Sequence, residues 1–133
     1  MTVEALAPLS NLNPTYRQAI QPLHLSGSFI GDDEDNHDFV FQSRGKQTVQ
    51  VAIDNAPDAE LTWSLYGMSA KDGAVGDAGV FPVDITNALA AATKVDETIT
   101  GNCYPYYLLR CVYAAAPTDT PKKNVSVFIN AMN

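Results

Sequence analysis

The sequence predicts an all-β domain of the antiparallel sandwich or barrel type, on three observations. Apolar and polar residues alternate at every second position in several separate runs. Clusters of Gly, Pro, Asn and Asp lie between those runs. Only one short stretch has the composition of a helix.

Residues 1–28 differ from the rest. Pro8, Pro14 and Pro22 recur every six to eight residues, which prevents a long helix and favours an extended path. The segment nevertheless carries Leu6, Leu9, Leu12, Tyr16, Ile20, Leu23 and Leu25, more large apolar groups than a disordered tail normally holds. We read it as an extended N-terminal arm, with a short helical turn after Pro14. Either it orders against another subunit or it packs along its own domain.

The β domain is expected over residues 29–133. Phe29 and Ile30 end a short strand, and Gly31 opens an acidic loop that runs through Asn36. His37 to Phe41 reads as a strand that stops at the polar turn Ser43-Arg44-Gly45-Lys46. Val49, Val51 and Ile53 alternate with Thr48, Gln50 and Ala52; after a turn at 54–58, Leu61, Trp63 and Leu65 alternate with Thr62, Ser64 and Tyr66. Gly67, Gly73, Gly76 and Gly79 mark a long loop over 67–79, followed by short β pieces at Val80-Phe81 and Val83. Thr86 to Ala92 is the one short helix expected, Ala-rich and capped by Asp84 or Thr86. Glu97 to Thr100 reads as a brief strand.

The C-terminal third is strongly β. Tyr107, Leu109, Cys111 and Tyr113 lie on one face of a strand, and Tyr106, Leu108, Arg110 and Val112 on the other. A Pro- and Thr-rich connection at 116–121 leads to a last strand with Val125, Val127 and Ile129 opposite Ser126, Phe128 and Asn130.

A chain of 133 residues fits one domain and buries roughly two-thirds of its unfolded surface, so it needs no metal or disulfide staple. The formal charge of −7 argues against nucleic acid and against anionic membrane surfaces, because both need clustered Lys and Arg. No stretch approaches the roughly 20 apolar residues that span a bilayer, and Met1-Thr2-Val3-Glu4 lacks the basic start of a signal peptide. Synthesis in a reducing cytoplasm is the expectation. Cys103 and Cys111 would lie roughly 25 Å apart along a strand at about 3.3 Å per residue, too far for a bridge. Cys111 therefore reads as a small core residue and Cys103 as a free thiol near a loop.

The polar features point away from catalysis. Asp32-Asp33-Glu34-Asp35-Asn36-His37-Asp38 has the oxygen density of a Ca²⁺ loop, yet it fails the EF-hand pattern. From Asp33 the sixth position is Asp38 instead of Gly and the twelfth is Arg44 instead of Glu. A solvated surface loop is the better reading. The chain has no HExxH, CxxC, GxSxG or Walker pattern, and nothing selects a carboxylate pair. Neither catalytic residues nor a cofactor or metal are expected. Trp63, Tyr66, Tyr104, Tyr106 and Tyr107 raise the idea of a sugar-stacking platform, but aromatics at alternating strand positions are more often packing residues. Arg110, set in an apolar strand, calls for a bidentate carboxylate partner in this domain or a neighbour, unless it snorkels from an edge strand.

Val49-Gln50-Val51-Ala52-Ile53-Asp54, Leu61-Thr62-Trp63-Ser64-Leu65-Tyr66-Gly67, Tyr107-Leu108-Leu109-Arg110-Cys111-Val112-Tyr113 and Val125-Ser126-Val127-Phe128-Ile129 resemble the corresponding strands of the capsid cement, or decoration, proteins of tailed bacteriophages, in particular the small Bordetella-phage type. The resemblance covers about two-thirds of the chain and involves no catalytic chemistry. It implies a jelly-roll-like β-sandwich on the capsid exterior of a virion, bridging copies of a major capsid protein of the HK97-type fold, as a homo-oligomer (a dimer or larger cluster). Partner contacts are then expected from the arm, through Leu9, Leu12, Tyr16, Arg17 and Ile20, and from Arg110. The alternative reading is a carbohydrate- or receptor-binding β-sandwich module whose acidic loop holds Ca²⁺.

Overall fold

The computed structural model describes residues 23–101 and 104–132. Its eight strands are β1 (Leu23–Ile30), β2 (His37–Gln42), β3 (Thr48–Asn55), β4 (Leu61–Met68), β5 (Val80–Leu89), β6 (Thr93–Thr100), β7 (Tyr106–Tyr113) and β8 (Asn124–Met132). They form two four-stranded antiparallel sheets, ordered β1-β8-β3-β6 and β2-β7-β4-β5. The first strand pairs with the last, the second with the seventh, the third with the sixth and the fourth with the fifth. This is one long hairpin rolled into a sandwich, the jelly-roll arrangement.

Alternation in the sequence becomes the two faces of each sheet. Val49, Val51 and Ile53 of β3 point inward and are essentially fully buried, as are Val125, Val127 and Ile129 of β8. From the other sheet Leu61, Trp63 and Leu65 meet them, with Tyr107, Leu109, Cys111 and Tyr113 alongside. Each such aliphatic side chain stabilises the fold by roughly 1.5–3 kcal/mol relative to exposure. The expected position of Cys111 in the core is found, and burial pushes its thiol pKa up to about 12, with Asp38 adding to the shift.

Local chemistry shapes the connections. At Arg44 and Gly45 φ is 54° and 75°, and the Lys46 N–H donates to the Ser43 carbonyl at 3.1 Å, closing the tight turn expected there. Gly67 lies inside β4 instead of opening the loop, which spans 69–79. Only glycine fits there, because a Cβ would stand 2.1 Å from the Tyr104 ring that closes this end of the core.

The ends of the sandwich are tied by side chains. Asn55, fully buried, donates to the carbonyls of Ala59 (2.9 Å), Leu89 (3.3 Å) and Ala90 (3.0 Å). Asp58 accepts from the Thr118 N–H at 2.8 Å and its hydroxyl at 2.7 Å, while the Asp58 N–H donates to Asp119 at 2.9 Å.

Two expectations are corrected. Thr86 to Ala92 is not a helix: Thr86 to Leu89 complete β5, Ala90 to Ala92 turn, and β6 follows. Thr86 takes a left-handed φ of 60° at a bulge and gives its N–H to Ser64 Oγ at 2.8 Å, while Leu89 pairs with Leu61 and enters the core. Ladder pairing and burial override alanine's helix propensity. The sandwich also starts before residue 29. Leu23 to Ser28 belong to β1, paired residue for residue with β8 from Leu23↔Ala131 to Ile30↔Asn124.

Candidate functional site

Two parts of the surface stand out: the outward face of the β1-β8-β3-β6 sheet, and the side of the sandwich where edge strands β1 and β2 face each other.

On the outward face, register places Ser26, Phe128, Ala52 and Asp96 in one row across the four strands. Phe128 stands 46% exposed, because its cross-strand neighbours are a serine and an alanine. One step along the strands lies a second row of His24, Asn130, Gln50 and Asp96's neighbour Thr98. Here the side chains are hydrogen-bonded in series. The His24 ring Nδ1 meets Asn130 Oδ1 at 2.5 Å, Asn130 Nδ2 donates to Gln50 Oε1 at 2.9 Å, and Gln50 Nε2 donates to Asp96 Oδ1 at 2.7 Å. Beside Phe128, Lys94 pairs with Asp54 at 3.9 Å.

At the β1/β2 side the two sheets do not close over the core. A groove of about 200 Å³ runs between them, lined by Leu25, Gly27, Phe39, Phe41, Val127 and Ile129 among others. Leu25 and Val40 are 39% and 48% exposed at its rim. The groove runs along Leu25, Ser26 and Gly27 of β1.

Arg110 is in β7, between β2 and β4, and not on an edge. It pairs bidentately with Asp38 directly across the ladder, Nε to Oδ1 at 2.8 Å and Nη2 to Oδ2 at 2.9 Å. The hydrogen bonds to Asp38, ahead of opposing burial, raise the guanidinium pKa above its ordinary value. Its carboxylate partner thus lies in its own domain. Leu9, Leu12, Tyr16, Arg17 and Ile20 lie outside the described residues, as does Cys103.

The aromatic residues do not make a common platform. Trp63 and Tyr107 are buried, and Tyr104 packs against Phe81 and Tyr107 at the end of the core. The acidic loop closes on itself: Asp33 Oδ1 accepts from the Asp35 N–H at 3.2 Å and from His37 Nε2 at 2.9 Å, and His37 stacks on Phe29 at 4.0 Å. The His37 hydrogen bond holds the Asp33 carboxyl below its ordinary pKa. Among the described residues no three His, Cys, Asp or Glu side chains are grouped to hold a metal ion, and no helix is long and apolar enough to cross a membrane.

The Phe128 surface escaped the sequence reading, which placed Phe128 opposite the buried face of the last strand without assigning it a role. Its composition depends on the register of four strands from distant parts of the chain. Only the outward position of Phe128 and Asn130 was available as a signal.

No protein-family model matches the chain, and no curated protein matches its sequence. Solved structures do resemble it. A subunit of the disulfide-linked pili that form Bacillus endospore appendages is 11% identical, with 86% of this chain and 88% of that one covered and a TM-score of 0.52. The chitosan-binding module 1 of a Paenibacillus sp. IK-5 chitosanase/glucanase is 12% identical over 85% of this chain and 96% of that one, TM-score 0.47. A periplasmic inhibitor of g-type lysozyme from Aeromonas hydrophila is 16% identical over 86% and 88%, TM-score 0.42. What this chain shares with the pilus subunit is the β-sandwich fold.

Proposed function

We propose that the protein is a binding and assembly module, and specifically a structural virion protein that sits on the outside of a phage capsid and stabilises contacts between major capsid protein subunits. The observation that carries this reading is the open β1/β2 side. An apolar groove rimmed by Leu25 and Val40 runs along β1, the strand that follows a Pro-spaced, Leu-rich stretch in the sequence. An exposed edge strand beside an apolar groove can take an added strand from a partner. Repetition over many symmetric sites then turns modest contacts into a durable shell. The resemblance of four strands to phage cement proteins supports the same reading.

The test is co-sedimentation with undecorated shells of an HK97-fold major capsid protein. The full chain should pellet with the shells and raise their dissociation temperature. Val40→Glu, at a half-exposed position of the groove rim, should weaken binding by about tenfold or more while the far-UV spectrum is kept. A folded chain that stays in the supernatant at saturating concentration refutes the capsid assignment.

A further inference from the structure

The outward face of the β1-β8-β3-β6 sheet differs in chemistry from the β1/β2 groove, with which it shares only Leu25 and Ser26 of β1. Its central feature is Phe128, a large apolar ring half exposed amid serine, alanine, asparagine, glutamine and aspartate. Grooves flank the ring on both sides. One, of about 440 Å³, is lined by His24, Leu25, Ser26, Ala52, Phe128 and Asn130. The other, of about 380 Å³, is lined by Ala52, Asp54, Lys94, Asp96 and Phe128. Ala52 and Ser26, the residues directly across the ladder, are too small to cover either side of the ring. Together the grooves make a trough across four strands, about 14 Å wide at 4.7–4.9 Å per strand.

The polar wall of this trough is preorganised. With His24 Nδ1–H donating to Asn130, every bond in the series His24, Asn130, Gln50, Asp96 has the same donor direction. Such a series polarises its members cooperatively and fixes their orientations. Each amide has a second N–H, and the carboxylate a second oxygen, with which to meet a ligand. An apolar ring beside fixed amide, imidazole and carboxylate groups matches one class of molecule well: a pyranose, with a C–H face to lay on the ring and hydroxyls for the polar row.

We infer that this trough is a binding site for a neutral oligosaccharide, with Phe128 as the stacking residue and Asn130, Gln50 and Asp96 as hydroxyl-binding residues. Charge selects neutral over anionic sugars. Asp54 and Asp96 line the trough with Lys94, whose one charge is taken up by Asp54, and the chain carries a net −7. Charge and polarity also disfavour a second copy of this chain as occupant. Stacking the face on itself would desolvate Asp96 and the amides around a single apolar ring.

The experiment uses the full ¹⁵N-labelled chain, titrated separately with cellotetraose, N-acetylchitotetraose and maltotetraose at millimolar concentrations. At least one should shift the side-chain amide resonances of Asn130 and Gln50. Phe128→Ala should weaken that binding by about tenfold, within the range of one aromatic contact, while Phe128→Tyr retains it. Tyr66→Ala, on the other sheet, and Val40→Glu, at the β1/β2 groove, should leave it unchanged. The last control separates this site from the capsid-binding proposal, which can fail without affecting it. Absence of shifts with all three sugars overturns the inference. So do shifts that persist in folded Phe128→Ala, or a dimer of the wild-type chain that this substitution converts to monomer.

Discussion

Asp38 and Arg110 face each other as direct cross-strand partners of β2 and β7, joined by two parallel hydrogen bonds of 2.8 and 2.9 Å. The pair fastens β2, a six-residue edge strand, to the interior strand of its sheet. With a quarter to a third of each side chain exposed, it lies at the upper end of what surface ion pairs contribute, about 1 kcal/mol. Arg110→Lys keeps the charge and loses the planar fork, so it should recover less than half of that contribution. Urea unfolding of the wild type, Arg110→Lys, Asp38→Asn and the double variant measures the coupling. A coupling indistinguishable from zero would show that the pair does not secure β2.

A larger effect is expected at the buried end of the sandwich. Tyr113 donates its hydroxyl hydrogen to Asn55 Oδ1 at 2.5 Å, and Asn55 in turn donates to three carbonyls of the turns around it. Burial, ahead of the neighbouring Cys111 and acidic groups, holds the Tyr113 hydroxyl in its neutral, donating form. Tyr113→Phe should cost about 1–2 kcal/mol, because one acceptor loses its donor. Asn55→Ala should cost more, about 2–4 kcal/mol, since it strands several buried polar groups at once. Thermal and urea unfolding of the two variants gives the order; equal costs would place the weight on the tyrosine bond alone.

These residues also mark what was legible in the sequence. Val49, Val51 and Ile53, and Leu61, Trp63 and Leu65, could be assigned to faces because each strand is buried on one side and its side-chain period is two. The need of Arg110 for a carboxylate was legible from its apolar setting, but its identity as Asp38 required the β2–β7 register. Residues 86–92 were read as a helix for a physical reason. β5 and β6 are edge strands with little inward burial, β5 carries a bulge, and the alanines around Leu89 favour helix when pairing is unknown. The Phe128 row was illegible for a different reason: strands β1, β8, β3 and β6 meet only in three dimensions.

Acid should loosen the loop clasp. The Thr118 hydroxyl, and then its N–H, hold the Asp58 carboxyl below its ordinary pKa. A carboxyl with a depressed folded pKa contributes stability that is present above its unfolded value of about 3.9 and lost as pH falls through the folded value. Melting temperature should therefore fall below about pH 4 more steeply in the wild type than in Asp58→Asn. Parallel pH profiles for the two proteins would remove Asp58 from the acid transition.

The opposite sign holds on the far side of the sandwich. Glu97 is the partner of Val51 in the β3–β6 ladder, which turns it inward, and it meets Asp84 where the edge strands β6 and β5 approach. Burial first, and the Asp84 charge and hydrogen bond second, raise its pKa above the usual carboxylate value. The folded state therefore holds the Glu97 proton more tightly than the unfolded chain. Its contribution is fully present below the unfolded pKa of about 4.3 and is lost as pH rises through the folded value, because the two carboxyl groups oppose each other once the Glu97 proton is gone. Glu97→Gln replaces one of them with a neutral donor of nearly the same shape. It should raise the melting temperature at pH 7 and leave it unchanged near pH 3.5, where wild-type Glu97 is protonated. A variant that melts lower at pH 7 would mean that ionised Glu97 has a stabilising partner.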